Sequence, residues 1–156
     1  MRKFLAVLLV LVFPSLSAAL ELPNRVDGWV SSSKNEHIVP LITEPDNINL
    51  GRCVYKNYVR DIPKEELLII LTEGKGTGTL YVPDKDSVQG SEGLLPSNSG
   101  YRVMSISGKK AVLETNENLP LSLAVRYDEN ITLTIETNSL SEHEIIMFAE
   151  SLLAAL

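Results

Sequence analysis

The chain has 156 residues, with 20 acidic against 14 basic side chains and a formal charge of −6 at pH 7. That charge repels phosphate backbones and anionic headgroups, so nucleic-acid binding and docking on acidic lipid are disfavoured. One cysteine, Cys53, excludes an internal disulfide, so the fold has to rest on its core.

The chain opens with the three parts of a secretory leader. Arg2 and Lys3 supply the positive end, residues 4–13 form an unbroken apolar run, Pro14 breaks it, and Ser17, Ala18 and Ala19 offer the small residues a signal peptidase reads. A membrane span needs roughly 20 apolar residues, and this run stops short. No cysteine follows it to carry a lipid. The expectation is a signal peptide over residues 1–19, one domain over residues 20–156, and a periplasmic or secreted product without stable membrane insertion after cleavage. Loss of Arg2 and Lys3 takes the charge from −6 to −8.

Beyond the leader, period-two alternation dominates, as it does in half-buried strands. Trp29 with Val30, and residues 38–43, are weaker strand candidates, and Pro40 places the second at a sheet edge. Residues 52–60 read as a strand rich in β-formers. Residues 66–73, apolar through the middle, read as a central strand covered on both faces. Glycine-rich residues 74–78 then turn the chain into residues 79–82. Residues 84–100 form a long irregular stretch that Leu94 and Leu95 tether to the core, either a surface excursion or a binding loop. Residues 101–107 and 110–115 pair around Gly108 and Lys109. Leu121, Leu123, Val125 and Tyr127 share one strand face, Asp128, Glu129 and Asn130 make a polar turn, and Ile131, Leu133 and Ile135 share a face of the returning strand.

The chain ends in a helix. Ser141 and Glu144 fit the S-x-x-E capping box, with Leu140 and Ile145 as a flanking hydrophobic staple. Ser139 and Glu142 offer the same box two residues earlier. Ile145, Phe148, Ala149, Leu152, Leu153 and Leu156 recur at helical spacing, an apolar stripe that needs a sheet to cover. The fold class that results is α+β: an antiparallel sheet of about six to eight strands with one C-terminal helix packed on a face.

No reactive constellation emerges. Gly74, Lys75, Gly76, Thr77, Gly78 and Thr79 resemble a phosphate loop, but the spacing G-x-x-x-x-G-K-[ST] and a following helix are both missing. Glu142, His143 and Glu144 are consecutive on a helix and point apart, and the H-E-x-x-H spacing for zinc is absent. The helix dipole alone explains the acids. Cys53 with His37 or His143 would need an electropositive, open setting to form a reactive thiolate. A buried structural cysteine is the simpler reading. The serine-hydrolase elbow G-x-S-x-G is absent, and twenty acidic residues allow many carboxylate pairs without selecting one. Trp29 reads as a core or interface anchor, and the five tyrosines read as packed rings with their hydroxyls at the rim. Asn130, Ile131 and Thr132 form a glycosylation sequon, relevant only in a eukaryotic secretory route.

The close of the chain, residues 127–156 with Ser-x-x-Glu-Ile-Ile-x-Phe-Ala-Glu-Ser-Leu from Ser141 to Leu152, resembles that of small secreted or envelope-associated bacterial families of unknown function. The Leu-Pro…Gly-Trp opening from Leu22 to Trp29 is similar to exported bacterial proteins. The resemblance covers under a third of the chain, implies an antiparallel sheet with a packed C-terminal helix, and carries no catalytic residue. The expected function is a non-enzymatic exported module binding an envelope protein or a small ligand, without metal or cofactor. Residues 84–100 and the turn at residues 74–78 are the candidate surfaces. Two alternatives remain open: a periplasmic hydrolase using carboxylates or Cys53, and a structural subunit of an envelope assembly, marked by an exposed apolar patch or an unpaired sheet edge.

Overall fold

The computed structural model describes residues 19–43, 48–77, 87–89 and 100–156. The expected leader up to residue 18, the strand at residues 79–82 and the Leu94, Leu95 tether lie outside the described residues.

Nine strands and one helix follow in chain order: β1 (Arg25–Val26), β2 (Trp29–Thr43), β3 (Ile48–Arg60), β4 (Glu65–Gly74), β5 (Ser87–Gln89), β6 (Gly100–Ile106), β7 (Lys109–Thr115), β8 (Leu121–Arg126), β9 (Ile131–Thr137) and α1 (Glu142–Ala155). They form one sheet in the order β1-β2-β3-β4-β9-β8-β7-β6-β5, with every pair antiparallel. The α+β arrangement is the expected one. The count rises to nine because the two-residue β1 and the three-residue β5 are too short to leave a period-two trace in the sequence.

The long hairpins follow their turn chemistry. Ser107 and Gly108 both take positive φ, 50° and 76°, the pair that a type I′ turn requires between β6 and β7. Between β8 and β9, the Asp128 carboxylate accepts from the Asn130 amide at 2.7 Å, and the Tyr127 amide donates to the Ile131 carbonyl at 2.9 Å. Two expected strands, Trp29 with Val30 and residues 38–43, prove to be the ends of one fifteen-residue strand. β3 likewise starts four residues before the expected position.

Alternation sorts the sheet into two faces. Val54, Tyr58, Leu67, Ile69, Leu71, Leu113, Leu123, Val125, Leu133 and Ile135 are buried on the side of α1. Trp29 and Tyr58 meet Phe148 of the helix edge-on, at centroid distances of 5.5 and 6.1 Å, the geometry that aromatic quadrupoles favour. Arg60 caps the outer side of Trp29 at 4.9 Å. The helix starts at Ser141: its hydroxyl accepts from the Glu144 amide, and the Glu144 carboxylate accepts from the Ser141 amide at 2.9 Å. Bonds from the Ser141 hydroxyl and amide hold the Glu144 carboxyl below its ordinary range. The competing box at Ser139 is not used, because that hydroxyl lies 3.2 Å from the Glu66 carbonyl. On the face away from the helix, Leu68 and Ile70 of β4 are only half-buried, so this strand is fully covered on one side alone.

Residues 20–24 lie on the helix side of β3 and are gripped by its side chains. Arg52 donates to the Leu20 carbonyl at 3.0 Å, Lys56 to the Leu22 carbonyl at 2.8 Å, and the Tyr58 hydroxyl to the Pro23 carbonyl. Lys56 is 2 % exposed. Its ammonium is also bonded to Asn24 Oδ1 at 2.9 Å and paired with Glu36 at 3.2 Å. Burial, then the neighbouring Glu36 charge, pushes the Tyr58 phenol well above its ordinary value.

At the far end of β3, Gly51 has φ 154°, and a Cβ there would lie 1.8 Å from the Glu73 carbonyl oxygen. Gly51→Ala should therefore lose on the order of 2–4 kcal/mol through forced backbone displacement. Gly28→Ala, with φ +81° but open space around it, should lose only about 1–2 kcal/mol. Urea unfolding of the two variants checks the ordering. Lys56→Met strands the Leu22 carbonyl and the Glu36 carboxylate; the same assay should show a loss of about 2–3 kcal/mol.

Candidate functional site

The face of the sheet away from α1 carries the candidate chemistry. Register aligns its residues in rows across the strands: Tyr55, Ile70, Thr134 and Ala124 in one, Cys53, Thr72 and Thr132 in the next, and Asn57, Leu68, Glu136, Ser122 and Glu114 in a third. A cavity of about 290 Å³ opens over these rows, with Ile70 and Ala124 as apolar lining and Cys53, Ser122, Glu114 and Glu136 as polar lining. A more open trough of about 430 Å³ reaches Glu136 from the other end of β4, past Val59, Lys64, Glu66 and Asn138.

This cavity does not assemble a nucleophile. Cys53 is buried, and its Sγ lies 3.6 Å from the Thr72 hydroxyl. Arg52, its sequence neighbour, points to the opposite face and pairs with Glu73 at 2.8 Å. His37 stands on β2 against Tyr55, at a centroid distance of 6.5 Å. His143 is exposed on α1, across the sheet. No histidine lines the cavity with Cys53. Glu114 and Glu136 share a row, but their strands are separated by β8, which sets their backbones about 10 Å apart. Among the described residues, no group of three or more His, Cys, Asp or Glu side chains could hold a metal ion.

The glycine-rich turn is occupied by its own chain. The Gly74 amide donates to the Asn130 carbonyl at 2.8 Å, and the Gly76 amide to Asn130 Oδ1 at 3.1 Å. The Thr77 hydroxyl lies 2.9 Å from the Gly74 carbonyl, while the Thr77 carbonyl accepts from Thr132 at 3.0 Å. These bonds lock the turn onto the β8–β9 turn and take two of the amides that an anion would need. Of residues 84–100, only β5 and Gly100 are described, with β5 paired to β6. Trp29 is a core residue, 3 % exposed. Tyr58 departs from the rim expectation, since its hydroxyl is bonded inside to Pro23. Tyr127 lies under the Lys109 ammonium at 4.4 Å.

A different surface stands out, and the sequence reading passed over it. β4 ends at Gly74, opposite Gly51, so the hairpin of β2 and β3 continues beyond the sheet as an arm. Ile42, Ile48 and Leu50 are exposed there, and Ile38 and Val39 on the stretch of β2 that leads into it, between 36 % and 55 %. The outer edge of β2 is paired with β1 only at Trp29 and Val30. The ladder to β3 runs unbroken across Pro40 and Arg52. That continuity places the protonless proline nitrogen on the outer edge, where it obstructs strand addition. The signal was available: Pro, Asp and Asn at positions 45–47 are residue types that favour turns, and Ile48 and Leu50 resume the alternation in the sequence after them.

Comparison with protein families, with curated proteins and with solved structures finds no match to this chain. Among the described residues no helix is long and apolar enough to cross a membrane.

If Cys53 is a packed side chain, a water-soluble disulfide reagent should label it at least about 100-fold more slowly in the native protein than in urea. Rapid stoichiometric labelling of the native protein would make it an accessible thiol.

Proposed function

We propose that the protein is an exported, non-enzymatic module of a bacterial envelope, periplasmic or secreted, that docks a protein partner through the arm formed by β2 and β3. The observation that carries this reading is the arm with the β2 edge that leads into it: five large apolar side chains in solvent along a strand whose outer edge has no strand partner beyond Val30 among the described residues. Exposed apolar surface concentrated in one element marks interaction sites in monomeric proteins.

Two features favour docking over small-ligand binding or hydrolysis. The more enclosed cavity, about 290 Å³, is at the bottom of the range that ligand sites occupy. Its reactive groups are a cysteine without a histidine and two carboxylates on strands that are not neighbours. Export is supported by the leader-like sequence of residues 1–19 and by the way residues 20–24 are anchored to β3, so the domain holds its own first residues without help from the leader.

Expression of the full-length gene in a bacterium should yield an envelope-fraction protein whose mass lacks residues 1–19. A photo-crosslinking amino acid at Ile42 should give a defined protein adduct there, and the same group at Glu129, in the exposed turn after β8, should give none. An intact cytoplasmic product, or equal labelling from the two positions, would refute the reading.

A further inference from the structure

We infer that the trough beside the β3–β4 turn docks an extended, basic peptide segment of a partner protein. It lies at the opposite end of β3 from the arm and stands without it. The trough, about 430 Å³, runs from Lys64 in the β3–β4 turn, past Thr137 and Asn138 at the end of β9, to Pro120 just before β8. Ile62 and Leu119 stand in the two flanking turns, 89 % and 64 % exposed, and are the most exposed large apolar side chains among the described residues. In the strand order β3-β4-β9-β8-β7, three strand spacings separate the two turns. That is about 14 Å, which an extended chain covers in about four residues. Side chains four residues apart project to the same face of such a chain, so two apolar residues at that spacing meet Ile62 and Leu119 together.

Charge selects the residue between them. The Glu65 carboxylate is taken up by Arg60 at 2.9 Å. Asp61, Glu66, Glu117 and Glu136, on the two turns and the strand ends between them, are in no ion pair among the described residues. Lys64 is the one cation among the described residues that line the trough. Glu136 is on β9, midway between the turns, and is shared with the cavity of about 290 Å³, whose described lining holds no Lys, Arg or His. Ser122 stands between Glu136 and Glu114 in one row, so a cation over Ser122 has a carboxylate on each side. Ile70 and Ala124, one row further in, offer apolar surface to the stem of a lysine or arginine.

The segment that fits carries a basic residue with an aliphatic residue two positions away on each side. A small free polyamine would use the carboxylates and leave Ile62 and Leu119 in water. An acidic segment would face like charge along the whole trough, which costs affinity and slows encounter. Only the basic, aliphatic-flanked segment uses both features at the spacing that the strand order sets.

Nuclear magnetic resonance titration of the labelled protein, made from the full-length gene in the form its host leaves, tests this. The probe is a blocked pentapeptide with leucine at both ends, lysine at the centre and glycine between them. It should give saturable shifts at Glu66, Leu119 and Glu136 that shrink as salt is added. Glu136→Gln should weaken binding about 10-fold, and Ile62→Ser with Leu119→Ser by about as much. Both replaced apolar side chains lie in solvent, so the rest of the spectrum should stay as it is. Glu129→Gln, in the exposed turn after β8, should leave binding unchanged. Equal binding of the same peptide with glutamate at its centre overturns the inference. So does 1,4-diaminobutane binding as tightly as the peptide, or no saturable shift at millimolar peptide. Shifts confined to residues 38–50 place the peptide on the arm and overturn the trough, whereas trough shifts without an adduct at Ile42 in cells keep the trough and lose the arm.

Discussion

One helix has to cover one face of a nine-stranded sheet, and most of the structure answers that mismatch. α1 has fourteen residues, a length of about 21 Å, whereas nine strands side by side span roughly 40 Å. The helix still touches β1 near one margin and β6 near the other, so the sheet curls toward it instead of lying flat. Ser151 reaches Asp27 at 3.5 Å on one side, and Glu142 pairs with Arg102 at 3.0 Å on the other. What the helix cannot reach along β3 is covered by residues 20–24. Beyond them nothing among the described residues covers the arm, and its isoleucines remain in solvent.

The covering segment explains why charged and hydroxylated side chains stand on an otherwise apolar face. A strap without regular pairing presents backbone carbonyls that lose water on burial and need donors. Arg52, Lys56 and Tyr58 are spaced along one face of β3 and supply them, one carbonyl each. A buried ammonium is costly unless it is paired and fully bonded, and Lys56 has two oxygen acceptors and the Glu36 carboxylate. Among the described buried side-chain polar atoms, only the Ser31 hydroxyl is left without a partner. Register of the strap against β3 is thereby set by polar groups, in a place where packing alone would tolerate sliding.

How far the sequence could be read followed from how local the information was. The β8–β9 hairpin and the capped helix were legible because turn chemistry, alternation and the Ser141–Glu144 box all lie within a few residues. The strap was not, since Lys56 and Leu22 are thirty-four residues apart and nothing in the periodicity of β3 marks Lys56 as buried. Glu114, Ser122 and Glu136 were individually visible, but only the order β9-β8-β7 brings them into one row. The arm falls between these cases. Its residues alternate correctly, yet the low propensity of residues 32–36 and the break at residues 44–47 divided β2 and shortened β3 in the sequence reading.

The exposed arm is too large an energetic omission to be incidental. At about 25 cal/mol per Å², burying its apolar surface of roughly 400 Å² would stabilise the fold by on the order of 10 kcal/mol, comparable to the whole stability of a typical domain. Such surface persists in a monomer only where something holds it open and something else makes use of it. Gly51 and Gly74 do the first, letting β3 and β4 backbones approach so closely that neither position accepts a Cβ. Pro40 then guards the edge while leaving the faces free. An unprotected edge would invite indiscriminate pairing, and a charged arm would stay in water. A blocked edge with apolar faces is the combination that selects a discrete partner.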